Sequence, residues 1–420
     1  MHRTGIWQHW NKVHKGHHFY RLLFGDTKLS RDLVLLLVIG GLYALSVALS
    51  NTFVNIYLWK QKSSYITIAL FNLFIYLAQQ GVIILAGRWA KQVDRVIVLR
   101  SGVIVLSIFY GFVLLVGQQA NQWAPLLGAL MGIGLGQYWL AFNVLTFEVT
   151  DPETRDIFNG FFGLLTSLAG MIGPFFAGWL ISRLTGGKGY TIIFLLALLF
   201  FVLAVILSFL LKRRAATGLF KLGAVLKWNQ LASGWRSILM ACFIQGLREG
   251  SFLFLIMIWV FEATQSELAL GLFGLVTSGI SLIFYYVAGR IVSPQKRNKV
   301  ILLSALLLAA GVWVIAFEMN FFRLMVYGVI ISVAYPLMIV PFLSLSFDVI
   351  GRSKDVSKWR IEYIVARELF LNGGRLISVL LFLVGVFIWD PERIFPYFIL
   401  CIGHVQLLLY LFIRHIRLSK

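Results

Sequence analysis

Apolar runs long enough to cross a lipid bilayer recur from one end of this 420-residue chain to the other. A bilayer core is crossed by about 20 apolar residues in helical form. Such runs fall at 33–58, 66–86, 96–117, 124–149, 157–180 and 191–211, then at 238–261, 269–288, 300–317, 322–347, 364–388 and 396–413. Inside lipid every backbone N–H and C=O must be paired within the protein, so runs of this length read as helices. They leave no stretch for a sizeable soluble domain. The expected class is an all-α integral membrane protein with about 12 transmembrane helices.

The charge pattern sets an expected orientation. Net charge is +20, which in a soluble chain would suggest nucleic acid, but the basic residues stand between apolar runs, where anionic lipid headgroups are the expected partner. Lys and Arg near span ends are retained on the cytoplasmic side. Of the 37 such residues, 29 fall on the face shared by the leader, the central connector and the tail. The other face holds Lys60, Lys62, Arg183, Lys188, Arg323 and Arg393. Both termini are therefore expected in the cytoplasm of a cell-membrane, multi-pass protein. The leader, residues 1–32, shows no signal-peptide pattern, and His14, His17 and His18 read as part of a solvated basic segment rather than a metal site. Cys242 and Cys401 lie in apolar runs and read as packing residues.

The two halves resemble each other. Ala86-Gly87-Arg88 with Arg95 and Val98 matches Ala288-Gly289-Arg290 with Arg297 and Val300 at an offset of 202. Phe142, Leu145, Phe147, Glu148 and Val149 match Phe342, Leu345, Phe347, Asp348 and Val349 at an offset of 200. The pattern implies duplication: one six-helix bundle over 33–211 and a second over 238–413, followed by a short tail at 414–420. Between them, residues 212–237 interleave Lys212, Arg213, Arg214, Lys221, Lys227 and Arg236 with Leu219, Phe220, Leu222, Leu226, Trp228 and Trp235. Such a mixture suits an amphipathic helix lying in the cytoplasmic interface.

Two six-helix repeats, a basic connector and a Gly-basic turn after the second helix of each repeat together resemble the major facilitator superfamily, over the whole chain. The family's second-to-third loop reads Gly-x-x-x-Asp-Arg-x-Gly-Arg-Arg. Here Gly87 is followed by Lys91 at the Asp position, with Asp94-Arg95 three residues later; the alternative register aligns Asp94-Arg95 and puts Ala90 in place of the Gly. Ala169-x-x-x-Gly173-Pro174-x-x-Ala177-Gly178 is similar to the Gly-Pro motif of the family's antiporters, and equally to ordinary close helix packing. The fourth helix lacks the Arg common in the family's proton-coupled drug exporters. The resemblance implies gating roles for Gly87, Arg88, Asp94, Arg95, Glu148, Arg155, Gly173, Pro174, Gly289, Arg290 and Asp348.

Ionisable groups within spans are costly and mark functional positions. The seventh helix carries Gln245, Arg248 and Glu249 near its midpoint. In the eleventh, Glu368, Asn372 and Arg375 at i, i+4 and i+7 share one stripe. The first half offers amides: Asn51, Asn55, Gln79, Gln80, Gln137 and Asn143. These residues are the expected substrate and ion pathway. Arg248 and Arg375 suit an anionic group, with Glu249 and Glu368 as their neutralising partners, and the two acids suit proton exchange. A purely structural ion-pair network is the competing reading, and His404 reads as packed and hydrogen-bonded.

No Gly-x-x-x-x-Gly-Lys-Ser/Thr loop is present, which excludes a nucleotide-hydrolysing pump of that type. The leading expectation is a monomeric secondary transporter without cofactor, working by alternating access, with proton-coupled efflux of a small molecule as its specific form. A lipid or glycolipid flippase shares the architecture. A membrane-embedded transferase would need clustered carboxylates or a His–acid pair, and neither is evident.

Overall fold

The computed structural model describes residues 31–150, 152–184, 187–213, 218–226, 233–292, 294–353 and 356–416, without the side chains of 152–157, 160, 233, 290–291, 294, 357 and 391–392. Twelve helices are long and apolar enough to cross a membrane: α1 (Arg31–Lys62), α2 (Tyr65–Gln92), α3 (Arg95–Gln119), α4 (Ala124–Val149), α5 (Phe161–Arg183), α6 (Lys188–Ser208), α7 (Gly234–Thr264), α8 (Glu267–Gly289), α9 (Arg297–Ala316), α10 (Phe321–Gly351), α11 (Lys358–Ile388) and α12 (Arg393–Ile413). Most run beyond the apolar cores read from sequence, because polar residues at their ends still complete helical turns. The histidine-rich leader lies outside the described residues.

Local chemistry sets the ends. Ser64 accepts from the Thr67 amide at 3.4 Å, Asp94 from Val96 at 2.7 Å, Ser266 from Ala269 at 3.2 Å and Asn320 from Arg323 at 2.9 Å, each satisfying an orphan amide of a first turn. The α1–α2 and α7–α8 turns are copies. Ser63 and Gln265 adopt φ of 49° and 50°, each amide donates to a carbonyl four residues back, and each residue precedes a capping serine. These positions also stand 202 apart, so the duplication extends to turn geometry.

Each bundle buries its own side chains, with Phe53, Phe71, Tyr110, Tyr138 and Phe201 in the first and Ile258, Tyr327 and Phe382 in the second. Outward surfaces stay apolar, as at Ile108, Ile206, Ile283, Leu303 and Phe387. The bundles meet along two seams, α5 against α8 and α2 against α11. In the first, a Cβ on Gly178 would stand 2.2 Å from the Glu267 carbonyl oxygen and one on Gly271 2.7 Å from that of Pro174. Gly173 is equally close to α1, where a Cβ would meet the Ala48 backbone at 2.8 Å.

The connector departs from expectation. Its helical part in the described residues is the single turn Gly223–Leu226, and Phe220 packs inward on the Gly87 position. Trp235 belongs to α7; it is buried, donates through Nε1 to the Val225 carbonyl at 3.2 Å and meets the Tyr363 ring edge-on. Its indole is taken up by protein rather than by the bilayer interface, while Trp228 lies outside the described residues.

Candidate functional site

Glu249 lies midway along α7 and faces α11, because three glycines let those helices touch backbone to backbone. A Cβ on Gly246 would stand 2.0 Å from the Leu371 oxygen, one on Gly250 2.4 Å from the Arg375 oxygen, and one on Gly374 2.1 Å from the Phe243 oxygen. At this distance Arg375 donates to Glu249 Oε2 through Nη2 at 2.6 Å and Nε at 3.1 Å. The other carboxylate oxygen, Oε1, accepts from the Tyr335 hydroxyl at 2.6 Å and from Gln245 Nε2 at 2.8 Å. The acid is buried and fully bonded.

The expected stripe on α11 forms a ladder. Arg375 Nη1 donates to Asn372 Oδ1 at 3.1 Å, and Asn372 Nδ2 donates to the Glu368 carbonyl at 3.0 Å. Glu368 Oε1 accepts from Arg367 at 2.6 Å and from Asn143 of the other bundle at 3.2 Å. These contacts fix which acid meets which arginine. Glu249 neutralises Arg375 rather than its chain neighbour Arg248, since successive residues point ~100° apart around a helix and only position 249 faces α11. Arg367, not Arg375, is the partner of Glu368.

The amides of the first bundle divide. Asn143 reaches Glu368, and Gln80 lies 3.9 Å from where a Cβ on Gly373 would stand, so both address the second bundle. Gln79 and Gln137 are buried, with Gln79 packed against Gly136 between α2 and α4. Asn55 and Asn51 bond elsewhere: Asn72 donates to Asn55 Oδ1 at 3.0 Å, and Asn55 donates to the Asn51 carbonyl at 3.2 Å. Tyr76 completes the centre, its ring 5.9 Å from the Arg375 guanidinium and its hydroxyl 3.5 Å from the Gly250 oxygen.

Ionic contacts bridge the seams on both sides of this centre. On the connector face Arg95 pairs with Glu148 at 2.5 Å, and Arg360 of α11 approaches the same acid at 4.0 Å. The second bundle repeats the pair as Arg297–Asp348 at 2.7 Å. Lys91 of α2 forms an ion pair with Glu362 of α11, and the Lys221 amide donates to the same carboxylate at 3.1 Å. Gly87 admits α11, since a Cβ there would stand 2.6 Å from Val365. Its counterpart Gly289 has nothing within 4 Å among the described residues. Asp94 caps α3 and lies 3.4 Å from Arg213, Arg88 is exposed, and the side chains of Arg155 and Arg290 lie outside those described. On the opposite face Lys60 of α1 pairs with Glu267 of α8 at 2.6 Å, Tyr190 donates to that acid at 3.0 Å, and Tyr65 of α2 bonds to Glu262 of α7.

Sequence reading missed these bridges. A signal was available, since the chain has only 17 acids and Glu262, Glu267 and Glu362 lie near the ends of three different helices, α7, α8 and α11. Tyr335 gave no signal, as nothing distinguished its hydroxyl from other tyrosines in apolar runs. Among the described residues no group of three or more His, Cys, Asp and Glu could hold a metal.

Residues 35–357 match the family model described as Major Facilitator Superfamily. The chain belongs to this family. It is a multi-pass membrane protein of a transporter fold. It is 51% identical over 398 residues to "Uncharacterized protein YqgE" of Bacillus subtilis (strain 168), covering 95% of this chain and 93% of that one. It is 61% identical over 177 residues to "Uncharacterized protein in sodM 3'region" of Geobacillus stearothermophilus, covering 42% and 83%. Among solved structures, the human organic anion transporter superposes with TM-score 0.69 at 14% identity, covering 92% of this chain and 100% of that one. The E. coli fucose:proton symporter gives 0.65 at 14%, covering 91% and 97%. An outward-facing bacterial homologue of the iron transporter ferroportin gives 0.68 at 16%, covering 92% and 99%. At such identities the likeness concerns fold.

Proposed function

We propose that this protein is a secondary transporter of a small molecule, moving its substrate past the Glu249–Arg375 centre as the two bundles rock. One observation carries the reading: the polar centre lies between two sets of ion pairs, each of which joins the first bundle to the second. Lys60–Glu267 is half open to solvent, where an ion pair is weak and exchanges readily for water; Lys91–Glu362 is buried while the seam is closed and separates only as water enters it. The α7–α11 contact, by contrast, is welded by backbone and stays within one bundle. Rocking therefore separates α2 from α11, or α5 from α8, while the centre keeps its shape. Solved neighbours of this fold are named for an organic anion, for fucose and for iron, so fold alone leaves the substrate open. Family and neighbours favour neither the flippase nor the transferase reading.

Proton coupling is the specific form we infer, with Glu368 as the exchanging acid. Asn143 belongs to the opposite bundle, so rocking removes one of its partners. The groups about Glu368 are Arg367 and Asn372 on its own helix, Asn143 from α4, and Arg375 and Cys242 within electrostatic reach.

The test needs no substrate. In a chain with Cys242 and Cys401 replaced by serine, Gln80→Cys in proteoliposomes is expected to react with an impermeant maleimide added to either face. Cross-linking Phe147→Cys to Phe347→Cys, whose native rings are 5.8 Å apart across the seam, should block reaction from the connector face alone. Cross-linking Lys60→Cys to Glu267→Cys should block the other face alone. Reactivity from one face only, unchanged by either cross-link, would overturn alternating access. For coupling, the ratio of the two rates should vary with pH in the parent and be flat in Glu368→Gln; an unchanged pH dependence would remove Glu368 from that role.

A further inference from the structure

Five charged side chains lie in the middle of the second bundle: Arg248, Glu249, Arg367, Glu368 and Arg375. Four are paired, Arg375 with Glu249 and Arg367 with Glu368, each at 2.6 Å. Arg248 is the remainder. It is 4% exposed, has no carboxylate within 4.0 Å among the described residues, and its Nε and Nη2 have no hydrogen-bond partner there. Its guanidinium stands 5.6 Å from the Phe252 ring and 6.0 Å from that of Tyr335. Tyr327 lies beside it and interacts with the guanidinium, although its hydroxyl, like Nε and Nη2, has no partner at full hydrogen-bond geometry among the described residues.

Aromatic faces offset part of the cost of a buried cation, yet two unpartnered guanidinium nitrogens at membrane depth remain expensive. Glu249 cannot be borrowed to satisfy them, because both its oxygens already accept two bonds each. The surplus is one positive charge with a planar donor fork, walled by Phe252, Tyr327 and Tyr335. We propose that Arg248 is the recognition point for an organic monoanion, a carboxylate or a like headgroup on an apolar body, and that Arg375 is not. A single uncompensated cation neutralises a monoanion and leaves a dianion half unpaired. Carboxylate oxygens match the fork, and the aromatic wall takes the apolar body. This assignment rests on the transport reading above, but the cross-linking test does not involve Arg248, so the two can fail separately.

The experiment compares benzoate with its neutral isostere benzamide on the full chain in phosphatidylcholine nanodiscs, by calorimetric titration and thermal unfolding. Wild type is expected to bind benzoate at least tenfold more tightly than benzamide. Arg248→Gln should remain folded, with an unfolding midpoint equal to or above that of wild type, and should lose the preference. Arg248→Lys keeps the charge without the fork, and should retain a reduced preference for benzoate. Equal binding of the two probes by wild type, binding of neither, or an undiminished preference in Arg248→Gln would overturn the proposal. If Arg248→Gln fails to fold, Arg248→Lys decides: a folded variant with weakened benzoate preference supports the assignment, and loss of folding in both variants assigns Arg248 a structural role and overturns it.

Discussion

At the residue scale, the polar centre separates charges that hold the protein together from a charge that does not. Glu249 has four donors and Arg375 is bound to it, so removing one partner strands the other in a medium that cannot solvate it. Arg375→Gln is expected to lower stability by about 3–5 kcal/mol, and Glu249→Gln in the same chain to restore most of it. Glu368→Gln should not restore it, because that acid belongs to Arg367. Unfolding of the purified variants in nanodiscs checks both outcomes. Sequence carried the identities of these groups but not their pairing. Residues 248, 249, 368 and 375 were legible as polar groups in apolar runs and Arg367 was not, and which Arg meets which Glu depends on helix rotation, set by glycines that looked like ordinary small residues.

At the element scale, the α7–α11 contact and the Gly-basic turns give contrasting cases of glycine use. Gly250 faces the Arg375 backbone at a distance that admits no Cβ, so Gly250→Leu is expected to abolish folded yield in membranes. The two turn glycines test the duplication. Gly87→Ala should cost about 1–3 kcal/mol by pressing on Val365 and Phe220. Gly289→Ala, with no described residue within 4 Å of the added methyl, should be neutral or stabilising by up to about 1 kcal/mol from helix propensity. Thermal midpoints of the two single variants decide the contrast, and equal losses would contradict it. Here the sequence was informative in a specific way. Arg95 and Arg297, and separately Glu148 and Asp348, were matched by offset alone, and the structure joins them into equivalent ion pairs at 2.5 and 2.7 Å. The connector was less legible, because interleaved basic and aromatic residues suit lipid and protein surfaces equally, and Phe220 and Trp235 take the protein.

At the scale of the whole molecule, the two mouths are held by different chemistry. The connector face relies on Lys91–Glu362 and the shared Glu148, the other on Glu267, Glu262 and their tyrosines. Glu362→Gln is expected to speed maleimide labelling of Gln80→Cys from the connector face severalfold, and Glu267→Gln from the opposite face. Matching acceleration from both faces by either variant would contradict separate gates. The architecture of twelve helices in two bundles was legible because lipid demands long apolar runs; the bridges were not, because a seam is a property of two surfaces whose partners stand 77 to 271 residues apart in the chain. One of those bridges has a further property. Lys221 holds Glu362 through its main-chain N–H, and that donor is supplied by every residue type except proline. Lys221→Ala should therefore leave this bond intact, and Lys221→Pro should remove it and leave Glu362 to Lys91 alone. The identity of the side chain at 221 is therefore immaterial to this contact, and what matters is that an N–H stands at that point of the connector.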